Sequence, residues 1–134
     1  MPLSVEVKPG ERIRLGEYDL TITERTRLIF HTESVPFLRE KDMLAPDAAN
    51  TPAKRLYLTV QLMYLSKDPH LYEERCLTLL DKVLGVLPSA TQHVESIKGY
   101  IAQDQMFKAL KDIKNLIDQE HIYLRGCRLK SVHA

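Results

Sequence analysis

Apolar and polar residues alternate with a period of two through the first forty positions, then switch to a period of three to four. Leu3, Val5 and Val7 alternate with Ser4, Glu6 and Lys8, the pattern of a half-buried strand. Pro9-Gly10 punctuates it, Ile13 and Leu15 alternate with Arg12 and Arg14, and Gly16-Glu17 marks a second turn. Leu20 and Ile22 then alternate with Thr21 and Thr23. Two further apolar runs follow, Leu28-Ile29-Phe30 and Val35-Pro36-Phe37-Leu38, and Pro36 makes the second an edge strand or a bulge. Four or five short strands joined by tight turns predict an antiparallel meander or small barrel.

After Leu38 the period changes. Arg39-Glu40-Lys41-Asp42 is a charge run, and residues 45–50 read as a connector with one helical turn. Thr51-Pro52 is a helix start, because proline at the first helical position lacks only an N–H that has no helical partner anyway. From Pro52 to Leu65 the chain is apolar round most of its circumference, so this helix is expected at the centre. Asp68 before Pro69 is an N-cap signal. Tyr72, Cys76, Leu79, Leu80, Val83 and Leu87 form the stripe of the next helix, which Pro88 stops. Ser89 and Gln92 have capping-box spacing ahead of a shorter helix faced by Val94, Ile97 and Ile101. Asp104 is placed to cap a last helix striped by Met106, Leu110, Ile113, Ile117 and Leu124, ending near Gly126. The expected fold class is α+β. A small N-terminal antiparallel β module with its connector occupies residues 1–50, and a bundle of about four helices with a short basic C-terminal tail occupies residues 51–134.

A chain of 134 residues supports one core, or a small module packed on a larger one. Two cysteines far apart argue against a disulfide scaffold: Cys76 lies on an apolar stripe as core filler, and Cys127 sits in an Arg-Gly-Cys-Arg setting. There is no basic leader followed by a long apolar run and no stretch of bilayer length, so the expected location is cytoplasmic, with no membrane partner. The formal charge of +1 identifies no polyanionic partner. Its distribution says more. Residues 1–50 carry seven Lys/Arg against nine Asp/Glu and residues 51–134 carry twelve against nine, with Arg125, Arg128 and Lys130 near the end.

Catalytic chemistry has little to stand on. His31, His70, His93, His121 and His133 lack metal-ligand spacing, no serine sits in a nucleophile elbow, and the five glycines are too scattered to cradle a phosphate. No enzyme activity, metal or cofactor is expected. Tyr57 and Tyr64, seven residues apart, share a face of the first long helix and are the candidate partner-binding pair.

The segments Leu38-Arg39-Glu40-Lys41-Asp42, Ala49-Asn50-Thr51-Pro52-Ala53-Lys54-Arg55-Leu56-Tyr57 and Val60-Gln61-Leu62-Met63-Tyr64-Leu65 carry a specific resemblance. Lys8-Pro9-Gly10-Glu11-Arg12 and Phe107-Lys108-Ala109-Leu110-Lys111 fit the same pattern. Together they resemble the FlbT family, flagellar biosynthesis repressors of flagellated alphaproteobacteria, over nearly the whole chain; the tail from Arg125 is less characteristic. The resemblance implies association with the 5′ untranslated region of flagellin messenger RNA, repression of its translation and promotion of its decay. The family's link to filament assembly also leaves room for a protein partner.

A more local likeness concerns the N-terminal part. The order Gly10-Glu11, Leu15-Gly16, a Thr/Val/Ile-type strand and Val35-Pro36-Phe37-Leu38-Arg39-Glu40 is similar to the carbon-storage regulator family, small β proteins that bind messenger-RNA leaders through an edge strand and an adjacent arginine. Pro36 and Phe37 depart from that pattern. This likeness implies Arg39 as an RNA contact.

Arginine suits RNA because its planar fork stays charged, pairs with phosphate and stacks on bases. The candidate RNA-binding set is Arg12, Arg14, Arg25, Arg27, Arg39 and Lys41 in the β module, with Lys54 and Arg55 at the helix start. Arg12 and Arg14 lie two apart on a strand, as do Arg25 and Arg27 if the strand extends that far, so each pair shares a face. Glu11, Glu17, Glu24 and Glu40 weaken the field. The expected function is a post-transcriptional repressor that associates with the flagellin messenger-RNA leader and promotes decay without catalysing it. The alternative is a protein-interaction module or chaperone-like factor for flagellin or a flagellar assembly regulator. A homodimer is expected by analogy with other small leader-binding regulators.

Overall fold

A computed structural model describes the backbone of residues 3–31 and 36–133, and side chains for 4–31 and 36–126. Val35 of the predicted fifth strand, and the side chains of Leu3, Cys127, Arg128, Lys130 and His133, lie outside the described residues. Five strands come first: β1 (Leu3–Val7), β2 (Arg12–Leu15), β3 (Tyr18–Thr21), β4 (Thr26–Phe30) and β5 (Phe37–Arg39). A bundle of four α-helices follows: α1 (Pro52–Leu65), α2 (Glu73–Val86), α3 (Thr91–Ala102) and α4 (Met106–His133).

The β module is antiparallel, as expected, but of the two arrangements expected its strand order is not that of a meander. β1 pairs with β4, while β2 lies between β3 and β5 in a second sheet. The turn chemistry accounts for the β2–β3 register. Gly16 sits at φ 58, where a Cβ would be strained, and the two-residue turn it opens places Leu15 opposite Tyr18. The third strand therefore begins two residues earlier than its alternation suggests. Every residue of β3 is exposed, so no apolar face draws β4 beside it. Instead β4 crosses to β1, with Leu28 opposite Val5. The module's own buried centre is small, Val7 and Ile13, while Leu38 is buried in the core shared with the helices. The Phe30 and Phe37 rings meet at 5.1 Å.

The main core lies among the helices. Leu56 and Val60 of α1, Leu80 and Val83 of α2, Val94 and Ile97 of α3, and Leu110, Ile113 and Leu116 of α4 are buried there. α1 is central, packing against both α2 and α4, while α3 packs on α4. Its start is built as the sequence predicts: the Thr51 hydroxyl accepts from the Lys54 N–H at 3.3 Å, ahead of Pro52.

Three predicted helix boundaries are corrected. Pro69–Tyr72 forms a 3-10 turn, so α2 starts at Glu73 and Asp68 makes no side-chain cap. A second 3-10 turn, Pro88–Ala90, replaces the Ser89 capping box. Asp104 does not cap α4; at φ 58 it takes the left-handed conformation that closes α3, its N–H donating to the Ile101 carbonyl at 3.1 Å.

α4 also runs past Gly126 to His133. One glycine inside a helix costs about 1 kcal/mol relative to alanine, too little to stop a long helix. The predicted stripe on α4 needs rotation: Leu116 is fully buried, Ile117 only partly, and Leu124 is exposed. The stripe ends on Glu120, buried at 1 % exposure, whose carboxylate accepts from the Ala53 N–H at 2.9 Å. It satisfies one orphan donor of α1 and faces the positive end of that helix dipole.

Candidate nucleic-acid interface

The polar bolts between the two modules converge on one place. The Tyr64 hydroxyl accepts from the Phe37 N–H at 3.1 Å and lies 3.4 Å from the Phe37 carbonyl. Tyr57, itself buried, donates to the Asp42 carbonyl. The Gln61 amide accepts from the Leu44 N–H at 2.8 Å and donates to the Leu44 carbonyl at 3.3 Å, standing in for a backbone pair. Tyr57 and Tyr64, proposed from sequence as partner contacts, thus spend their hydroxyls inside the chain. Burial first, then the Asp42 charge, pushes the Tyr57 phenol up to about 12.

Between these bolts a cleft of about 320 Å³ opens where β5 and its following turn meet α1 and α4. Phe37, Tyr57 and Phe107 supply aromatic surface; Arg39, Lys41, Lys111 and Lys114 supply positive charge, with Asp42 as the carboxylate lining it. Lys114 pairs with Asp42. The Lys111 ammonium sits 4.9 Å from the centre of the Phe107 ring, a contact worth about 0.5–1 kcal/mol at an exposed site. Among the described residues, neither Lys41 nor Lys111 has a carboxylate partner.

The sequence-derived arginines fare differently. Arg12 pairs with Asp19 at 2.5 Å and Arg25 with Glu6 at 2.6 Å. Arg39 pairs with Glu11 at 2.8 Å and also donates to the Glu6 carbonyl at 3.2 Å, tying β5 to the turn after β1. The Arg39 hydrogen bond, helped by the Lys8 N–H, holds the Glu11 carboxyl below the usual carboxylate range. Arg14 carries a buried Nε without a hydrogen-bond partner. Arg27 is exposed on β4, opposite Glu6 in register, but Arg25 precedes the strand, so the two do not form the expected strand pair. Lys54 reaches Asn50 at 3.5 Å, and Arg55 lines a separate groove between α1 and α2 with Arg75, Lys82 and Glu74. Of the eight residues, the cleft gathers Arg39 and Lys41. It adds Phe107, Lys111 and Lys114, which sequence reasoning missed as site residues. Their spacing of four and then three on one helix was the available signal, since it places an aromatic and two lysines on one face.

A second cleft, of about 640 Å³, is predominantly apolar. Met63, Cys76, Leu77, Leu80, Ile101 and Met106 are among its walls, with Lys98 and Glu73 contributing charge. Burial first, and then Glu73, pushes the Cys76 thiol up to about 11, so it stays protonated at neutral pH. Among the described residues no group of three or more His, Cys, Asp or Glu side chains is placed to hold a metal. Among the described residues no helix is long and apolar enough to cross a membrane.

The comparison with solved structures gave no match. Sequence relatives are informative. The chain is 44% identical over 127 residues to the probable flagellum biosynthesis repressor protein FlbT 1 of Bradyrhizobium diazoefficiens, covering 94% of this chain and 86% of that one. It is 38% identical over 120 residues to the probable flagellum biosynthesis repressor protein FlbT of Rhodopseudomonas palustris, covering 90% and 95%. The flagellum biosynthesis repressor protein FlbT of Caulobacter vibrioides is 31% identical over 123 residues, covering 90% and 87%. The family model described as flagellar protein FlbT matches residues 3–124, which takes in all five strands and the helices up to Leu124, and on that extent of agreement the chain belongs to the FlbT family.

Proposed function

We propose that this protein is a cytoplasmic, non-enzymatic repressor of flagellin synthesis that grips the 5′ untranslated region of flagellin messenger RNA at the junction cleft. The supporting observation is the cleft's lining: aromatic surface beside four cations, two of them without a carboxylate partner among the described residues. RNA presents phosphates to cations and, where unpaired, bases to aromatic rings; base stacking on an aromatic is worth about 1–3 kcal/mol, more than the Lys111–Phe107 contact it would replace. Occupying the leader blocks ribosome access and leaves the message to a cellular nuclease, so repression and decay need no catalysis by this chain.

Binding of the purified protein to a flagellin leader across a salt series tests this reading. The expected result is a logarithmic salt slope of about −0.7 for each phosphate contact on single-stranded RNA. Binding that is undetectable, or indifferent to leader sequence, sinks it.

The apolar cleft favours a second reading, docking of flagellin or an assembly regulator. Leu77 on its wall is 56 % exposed. Association with purified flagellin after nuclease treatment supports this reading, and its loss on nuclease treatment removes it.

A further inference from the structure

Resting on the RNA reading above, we infer that the junction cleft takes one unpaired nucleotide at a time, with its base on the Phe107 ring and its flanking phosphates on Lys41 and Lys111. Three observations carry this. The volume, about 320 Å³, is at the lower end for small-molecule pockets, room for a nucleotide and not for a duplex edge. Phe107 is 37 % exposed, so its ring is reachable, while buried Tyr57 and Leu110 close the floor. The cations come from opposite sides: Arg39 and Lys41 from β5 and the turn after it, Lys111 and Lys114 from α4. A strand crossing between them meets positive charge before and after the inserted base.

The fixed and the free charges divide the work. Arg39 is held by Glu11 and Lys114 by Asp42, whose own carbonyl accepts from Tyr57. These pairs shape the rim. Lys111 rests on the Phe107 ring, the surface the base needs. Insertion of a base displaces that ammonium, which then pairs with the neighbouring phosphate. Stacking and phosphate contact are therefore coupled. A paired base cannot reach the ring, because duplex RNA keeps its bases stacked and offers mainly sugar and phosphate.

The experiment uses the full chain and short RNAs carrying 2-aminopurine at one position, either single-stranded or annealed to a complement, beside the whole leader. Single-stranded RNA should bind at least tenfold tighter than the duplex, with quenching of the probe on binding. Phe107→Leu should weaken single-strand binding about tenfold and abolish the quenching, Phe107→Tyr should retain both, and a thermal melt checks that each variant folds. Equal affinity for the two forms, or quenching unaffected by Phe107→Leu, overturns the proposal while leaving leader binding intact. Failure of every RNA to bind overturns the RNA reading with it.

Discussion

The paired arginines of the β module and Lys111 of α4 carry the same charge but occupy opposite electrostatic situations. Arg12, Arg25 and Arg39 each meet a carboxylate of the β module, Asp19, Glu6 and Glu11. Lys111 meets an aromatic ring instead. The difference follows from geometry. Neighbouring strands bring side chains into register across the sheet, and in β2–β3 the opposing strand offers Asp19 within reach of Arg12. On the α4 face that looks across the junction Lys114 finds Asp42, but Lys111 has no carboxylate partner among the described residues, so its charge stays available. The lesson is that basic residues must be counted after their partners are subtracted.

The sharpest way to break this contrast is to change both classes and read binding. Reversing Lys41 and Lys111 together to Glu should lower leader affinity at least tenfold, about 1.4 kcal/mol or more, whereas Arg12→Ala with Arg25→Ala should change it less than threefold in the same fluorescence titration. The opposite ranking would return the site to the β surface. Stability should invert the order. Arg39→Ala leaves Glu11 partly buried without its partner and should cost about 1–3 kcal/mol in urea unfolding, against about 0.5 kcal/mol or less for Arg12→Ala.

Smaller effects sharpen the picture. Tyr64→Phe removes the hydroxyl that holds Phe37 and should cost about 1 kcal/mol, with faster amide exchange in β5 and little change in α3. An acid series isolates the Glu11–Arg39 pair. Because the folded carboxyl sits below its ordinary value of 4.5, its stabilisation is present above that pH and fades as pH falls through the folded value. That component should vanish from the stability profile of the Arg39→Ala protein.

Much of the helical half could be read from the chain itself. Thr51-Pro52 marked the start of α1, and the spacing of Cys76, Leu79, Leu80 and Val83 marked the buried face of α2. These signals are local, within a few residues of what they specify. Strand partners are not local: nothing near Thr26 says that β4 lies on β1 and leaves β3 exposed. The site shared that fate. Arg39 and Lys41 were visible as a charged run, but Phe107 and Lys111 join them from the far end of the sequence, and only the docking of α4 beside β5 makes one cleft of them. Asp104 shows a different failure, since Asp both caps helices and tolerates the left-handed region.

Glu120 reaches back 67 residues to the first turn of α1. On a chain emerging from the ribosome, that carboxylate arrives long after the central helix has been made. Until then the opening of α1 lacks its buried acceptor, and the helices cannot settle into their final arrangement. The bundle should therefore lock only once the Glu120 turn of α4 has emerged, with the strands waiting on a central helix that itself waits for that turn.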